Sequence, residues 1–235
     1  MSEDTKKIIE EVKLDINEMS EAGLHFGHKV SRLHPKMKPF VSGIKNNVNI
    51  FDLEKTTKEF AKALKFISNQ VALKKTILIV GTKIQLKAIV RETAEECGLP
   101  YVAERWLGGT FTNFETILKR VEYFKDLEKK RASGEFEKYT KKERMKLDKE
   151  IAILKTKFEG IKNMSKLPDV VLILDLKKDE AAAREAKIKG IKIVGVTDTN
   201  VNPTMADYPI PANDDAITSI RYILSKVKEA VLNAK

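Results

Sequence analysis

"DVVLILDLKKDEAAAREAKIKGIKIVGVTD", residues 169–198, contains two short apolar runs separated by a charged, alanine-rich stretch. The runs, "VVLIL" and "IKIVGV", are nearly continuous rather than alternating, the pattern of strands buried on both faces. The stretch between them, "DEAAAREAKIKG", is rich in helix formers and stops at Gly190, so it predicts a helix with a glycine end. Strand, helix and strand in this order make a parallel crossover unit. The same rhythm occurs upstream, where "KTILIVGT" precedes a helical stretch over 83–97 closed by Gly98, and "PYVAERW" follows as a short strand. It occurs downstream too, where "DYPIPA" leads into an amphipathic helix over 214–233. Strands alternating with helices predict an α/β body with a parallel sheet covered on both faces.

One segment breaks the rhythm. After "AERWLGGTFTNFE" (103–115) come two apolar stripes, Ile117, Val121, Phe124, Leu127 and then Leu147, Ile151, Leu154, Phe158, Ile161. The second is spaced 4-3-4-3, the heptad period that keeps a seam facing a partner helix. Thr112 with Glu115, and Thr140 with Glu143, fit the capping-box spacing at helix starts. The polar turn "RASGEFEKYT" joins the two stripes into an antiparallel helical hairpin with charged outer faces. Too little apolar surface remains for a separate globule, so residues 107–164 are expected to project from a body made of 23–106 and 165–235. Trp106 is expected at the base of this arm, with Gly108 and Gly109 allowing the sharp turn.

The N-terminal residues 1–22 place Ile8, Val12, Ile16 and Met19 at helical spacing among seven acids and three bases. They predict an acidic amphipathic helix that packs on its own body or offers its apolar stripe to a protein partner. Residues 25–51 contain prolines, glycines and the turn "KNN", predicting an irregular basic loop followed by a β-hairpin. Asp52 is placed to cap the helix that follows.

Net charge is +10 over 235 residues, which favours polyanionic partners. Its distribution is more informative. Between 29 and 45 lie Lys29, Arg32, Lys36, Lys38 and Lys45 with no acid, and 115–166 carries sixteen bases against ten acids. No apolar run is long enough to span a membrane. The first residues lack a signal peptide's basic start and apolar block, and the single Cys97 excludes a disulfide framework, so the expected compartment is the cytoplasm.

Two kinds of chemistry compete. The ends of the predicted strands collect Thr82, Arg105, Asp175, Asp198 and Asp215, a polar crevice where an α/β enzyme would hold a small molecule. Thr82, Asp198 and Asp215 are the candidate residues of that reading. No G-x-G-x-x-G, P-loop lysine or G-x-S-x-G pattern accompanies them. His25, with Asp198 and Asp215 if the loop folds over the strand ends, forms a candidate divalent-cation site. The nucleic-acid reading uses more of the chain. "HKVSRLHPKMKPF" interleaves bases with imidazole, Met37 and Phe40, whose flat or polarizable surfaces suit stacking. Lys29, Arg32, Lys36, Lys38, Lys45, Arg105, Arg120, Lys130, Arg131, Lys141, Lys142 and Arg144 are the candidate RNA-binding residues. Many phosphate contacts give salt-sensitive binding without catalysis.

The runs "AGLHFGHKVSRLHPKMKPFVSGIKNNVNIFDLEKT", "ILIVGTK", "ERWLGGTFTNFETI", "KLPDVVLILD", "VGVTDTNVNP" and "PANDDAI" follow one another in this order. Together they resemble the bacterial-type second protein of the small ribosomal subunit, over nearly the whole chain. The resemblance implies a flavodoxin-like α/β fold with an inserted coiled-coil hairpin and a structural, non-enzymatic role in translation. It implies small-subunit rRNA as partner, with neighbouring ribosomal proteins that include, in bacteria, the large protein that captures messenger RNA; a membrane partner and a required cofactor are not implied. The chain departs from the family pattern at Leu33-His34, where an aromatic residue followed by asparagine is expected, and it ends at Lys235 without the long acidic tail many relatives carry.

Overall fold

The computed structural model describes residues 14–234. Its centre is a five-stranded sheet of β4 (Ile77–Val80), β5 (Tyr101–Val102), β6 (Val170–Ile173), β7 (Lys192–Thr197) and β8 (Tyr208–Pro211). All pairings are parallel, and the spatial order is β5-β4-β6-β7-β8. Counted within the sheet this is the order 2-1-3-4-5 of flavodoxin-like folds. The continuous apolar runs have the expected consequence, since every residue of β4 and β6 is buried.

Two cores cover the two faces. On one, α2 (Leu53–Ala72), α3 (Lys87–Cys97) and α7 (Ile217–Asn233) pack Phe60, Leu64, Val90, Ile220 and Leu224 over Ile77, Ile79, Leu172 and Val194. Asp52 caps α2 as expected, accepting from the backbone N–H groups of Glu54 and Lys55. Gly98 and Gly190 close their helices in the left-handed region, with φ of 60° and 69°. The last helix starts three residues later than expected, at Ile217, because Asp214 and Asp215 are used elsewhere.

On the other face lie α6 (Glu180–Lys189) and the paired helices α4 (Phe114–Ala132) and α5 (Lys141–Phe158). Val121, Phe124 and Leu127 from α4 share one core with Ile151, Leu154 and Phe158 from α5 and with Trp106 and Phe111 from the joint. Thr140 and Glu143 form the reciprocal cap expected at the start of α5. The other predicted cap is corrected: Asn113, not Thr112, occupies the cap position of α4. Thr112 instead directs its N–H and hydroxyl at Glu185.

A short α1 (Ile16–Glu21) precedes the small sheet and places Met19 fully within the first core, with the Thr57 hydroxyl donating to its sulfur. Met19 is therefore a core residue, not part of a free stripe. Ile16 is exposed, while Ile8 and Val12 lie outside the described residues. No described helix is long and apolar enough to cross a membrane.

Candidate nucleic-acid interface

The basic segment is more ordered than an irregular loop with a hairpin. β1 (Phe26–Lys29), β2 (Val41–Lys45) and β3 (Val48–Phe51) form a three-stranded antiparallel sheet in the order β1-β3-β2. The β2–β3 turn is Asn46-Asn47, both left-handed (φ 50° and 62°), as a tight two-residue hairpin requires. β1 itself was not legible, because its partner β3 lies beyond a stretch of single helical turns.

Thr199, just past the end of β7, anchors this small sheet to the large one. Its hydroxyl accepts from the His28 N–H at 2.9 Å and its carbonyl accepts from the His34 N–H at 2.8 Å. The Asn49 amide donates to the His28 carbonyl at 2.9 Å. Gly27 lies at the seam, where a Cβ would stand 2.5 Å from the Thr199 methyl carbon. So the chain passes where only glycine fits.

On this platform Lys29, Arg32, Lys36, Lys38 and Lys45 are all exposed. Among the described residues none of the five has a carboxylate within ion-pair distance; Lys36 reaches only the Thr204 hydroxyl, at 3.4 Å. Met37 is a correction: it is fully buried and has no surface for stacking. Phe40 is half-buried.

The crevice at the strand ends is occupied by the protein's own ions. In a 2-1-3-4-5 sheet the ligand position lies between the first and third strands, here the carboxyl ends of β4 and β6. Lys83 leaves β4 there, and its Nζ lies 2.9 Å from Asp175 Oδ2, 2.7 Å from Asp214 Oδ1 and 2.8 Å from Asp215 Oδ1. Burial opposes the Lys83 charge, but Asp214 and the other carboxylates outweigh it and raise its pKa. Asp214 is pushed up by burial and by the charges of Asp198 and Asp175, with Lys83 opposing.

His28 completes the network, with Nδ1 3.0 Å from Asp198 Oδ1 and Nε2 3.4 Å from Asp215 Oδ2. Its pKa is raised, chiefly by the hydrogen bond to Asp198 against the opposing effect of burial. Thr82 is held by Asp179, which accepts from its hydroxyl at 2.7 Å and its N–H at 3.2 Å. The proposed cation trio is corrected accordingly. His28, not His25, meets Asp198 and Asp215, and Lys83 takes the place of a metal cation among the carboxylates. His25 instead lies against the Phe26 ring, with centroids 4.0 Å apart. The enzyme reading loses its site for the same reason, since Thr82, Asp198 and Asp215 are each engaged in holding the fold. What remains open is a shallow cleft of about 180 Å³ rimmed by Arg32, Lys177 and Lys178.

The joint is organised by a residue that the sequence reading missed. Glu185, buried on α6, accepts from five donors: Trp106 Nε1 (3.0 Å) and Gly109 N (2.9 Å) on one oxygen, Phe111 N (2.9 Å), Thr112 N (3.1 Å) and Thr112 Oγ1 (3.2 Å) on the other. Burial pushes its carboxyl up, but these hydrogen bonds outweigh burial and hold it below the ordinary value. Trp106 is buried as expected, edge-on to Phe111. Gly109, at φ 90°, lets its N–H turn toward the carboxylate. A signal was present: Glu185 shares a face with Ala182 and Ala186, and a carboxylate on an apolar stripe needs buried donors.

Of the candidate bases near the arm, Arg105 is exposed, and Glu104 beside it pairs with Lys87 and Arg91. Lys130 is paired with Asp126 and Arg131 with Asp148, so both are partly neutralised. Arg120, Lys141, Lys142 and Arg144 are exposed, and among the described residues none has an ion-pair partner.

These features define a class: a flavodoxin-like α/β protein whose ligand crevice is largely filled by its own ion network and whose unpaired basic side chains stand on and around a small antiparallel sheet. The family model for ribosomal protein S2 matches residues 19–234. The chain belongs to the ribosomal protein S2 family. It is 44% identical over 220 residues to small ribosomal subunit protein uS2 of Coprothermobacter proteolyticus, covering 94% of this chain and 82% of that one. To uS2 of Dehalococcoides mccartyi it is 43% identical over 221 residues, covering 94% and 90%. To uS2 of a Roseiflexus species it is 46% identical over 215 residues, covering 92% and 82%. Membership makes the chain a structural, non-enzymatic component of the small ribosomal subunit, with a role in translation.

Proposed function

We propose that the chain holds folded small-subunit rRNA through two basic surfaces, the sheet of residues 25–51 and the exposed bases of the helical hairpin in 107–164. The observation that carries this reading is the set of five exposed cations, Lys29 and Lys45 on the small sheet and Arg32, Lys36 and Lys38 on the helical turns between its first two strands, in a segment tied to the body by Thr199. Cations held without carboxylate partners on a fixed frame are free to replace the counterions condensed on phosphate. Arg105, Arg120, Lys141, Lys142 and Arg144 extend the same surface chemistry onto the arm, while Lys130 and Arg131 must first give up Asp126 and Asp148. The acidic N-terminal segment has the opposite sign and is assigned to a protein neighbour, the large messenger-capturing ribosomal protein where the ribosome has one.

The test is the salt dependence of binding to small-subunit rRNA. Neutralising Lys36 and Lys38 to glutamine should lower the slope of log K against log salt by about 0.9 for each duplex phosphate that is no longer neutralised. An unchanged slope, or no rRNA binding by the wild-type chain at low ionic strength, overturns the reading.

A further inference from the structure

The small sheet has an inner and an outer face, and the outer one is built differently from the rest of the basic surface. Asn49 and Phe51 of β3 are buried against the body, so the alternate residues Val48 and Ile50 point outward. Cross-strand pairing then sets two rows. Lys29, Val48 and Lys45 lie side by side, and next to them Phe26, Ile50 and Gly43. A register shift between Phe26 and Lys29 lets these two residues, three apart, share a face, while Gly43 and Lys45, two apart, share it by ordinary alternation. The rows are about 7 Å apart along β3.

Phe26 is 44% exposed, with His25 packed against its ring. No atom lies within 4 Å of where a Cβ on Gly43 would stand, so the Phe26 row ends in a low, open shelf. This is an aromatic ring beside an aliphatic floor, with a lysine on each outer strand of the neighbouring row.

We propose that this outer face seats an unpaired RNA nucleotide, with Phe26 stacking on the base and Lys29 and Lys45 taking the flanking phosphates. The proposal rests on the rRNA-binding reading and narrows it to a single-stranded element at this face. A duplex keeps its base faces within its own stack and offers phosphates to lysine but nothing to an exposed ring, whereas unstacked bases are read on sheets bearing aromatic side chains. Charge decides between RNA and a protein partner as occupant. Residues 29–45 carry five bases and no acid, and Lys29 and Lys45 flank the row beside Phe26.

The test uses the full chain, a short unstructured uridine oligonucleotide and a blunt RNA duplex, with binding read by fluorescence anisotropy at matched ionic strength. Phe26→Leu keeps the apolar bulk and removes the π face. It should weaken the oligonucleotide about tenfold, in the range one stacked base contributes, and leave the duplex unchanged. Phe26→Trp should bind the oligonucleotide at least as tightly as the wild type. Lys29→Gln with Lys45→Gln should lower the oligonucleotide's salt slope by about 1.4. A photo-cross-link from 4-thiouridine should fall on the peptide containing Phe26. Phe26→Leu binding the oligonucleotide like the wild type overturns the proposal. So does an equal weakening on both RNAs, or a variant that fails to bind a neighbouring ribosomal protein while its RNA binding is intact. Failure of the wild type on both RNAs would instead sink the broader reading.

Discussion

Glu185→Gln changes one oxygen to an amide nitrogen and leaves the shape of the joint almost untouched, so it isolates the electrostatics of the joint. The carboxylate receives two donors on one oxygen and three on the other. In either orientation, glutamine points its NH₂ at donors. The cheaper orientation sets it against Trp106 Nε1 and Gly109 N, and the other sets it against Phe111 N and both Thr112 donors. A hydrogen bond to a charged group contributes about 1.5–3 kcal/mol, and a buried donor left without an acceptor costs about 1–3 kcal/mol. Two broken hydrogen bonds in a partly solvated joint then amount to about 3 kcal/mol. For a chain of this size that is a fall in Tm of about 6–12 °C. The sign with pH follows from the carboxyl being held below its ordinary value. Its contribution is complete above the unfolded value of about 4.3 and fades as pH falls below it toward the folded value, so the gap between wild type and variant should narrow as pH falls below about 4. Thermal melts at pH 7 and pH 4 read the stability. The chain has one tryptophan, Trp106, so its fluorescence reports the joint directly. A Tm within about 1 °C of wild type at pH 7, or a gap that stays constant down to pH 3.5, would refute the account.

Lys83→Met removes the ammonium that faces Asp175, Asp214 and Asp215 and leaves the buried Asp175 and Asp214 without their cation. The expected destabilisation is about 3–5 kcal/mol by chemical denaturation, and a variant as stable as wild type would show that the network is not what holds the strand ends. His28→Gln should change the pH dependence of stability. The folded pKa of His28 is raised by Asp198, so its contribution is fully present below about pH 6.5 and is lost as pH rises through the folded value. The wild-type advantage over His28→Gln should therefore shrink as pH rises above about 6.5. A gap that is flat or widens with pH contradicts it. The comparison with the variant is needed because Asp214, also pushed up, titrates in the same sense.

The large sheet was legible because it is written in local signals. Continuous apolar runs, glycine stops and the Asp52 cap each act over a few residues, and all point to the same α/β order. What escaped depends on partners far apart in sequence. Glu185 meets Trp106 and Phe111 more than seventy positions away, and Lys83 meets Asp214 across more than a hundred. Thr112 shows how a local rule loses to a tertiary one. Its spacing to Glu115 fits a cap, yet its hydroxyl and N–H gain a charged acceptor in Glu185, and Asn113 takes the cap position. Met37 was misread for a similar reason, since a methionine among lysines looks like surface until the turn that buries it is known.

The same ion network fills the position where this fold holds small molecules with the protein's own side chains. At the switch point between β4 and β6, Lys83 and His28 face Asp175, Asp198, Asp214 and Asp215. The acids outnumber the cations, so the network favours retaining a protonated His28, and His28 belongs to β1 of the basic sheet. The carboxylates therefore do more than fill a crevice. Through Asp198 on the His28 ring and Thr199 on the His28 N–H, the end of the large sheet fixes the position of the small one. In the proposed rRNA contact, Lys29, Arg32 and Lys45 would lose little backbone entropy on meeting phosphate, because their segment is already tied to the large sheet. The acids of the network take Lys83 and His28 as partners, so among the described residues none of the five exposed bases is drawn into an ion pair with them.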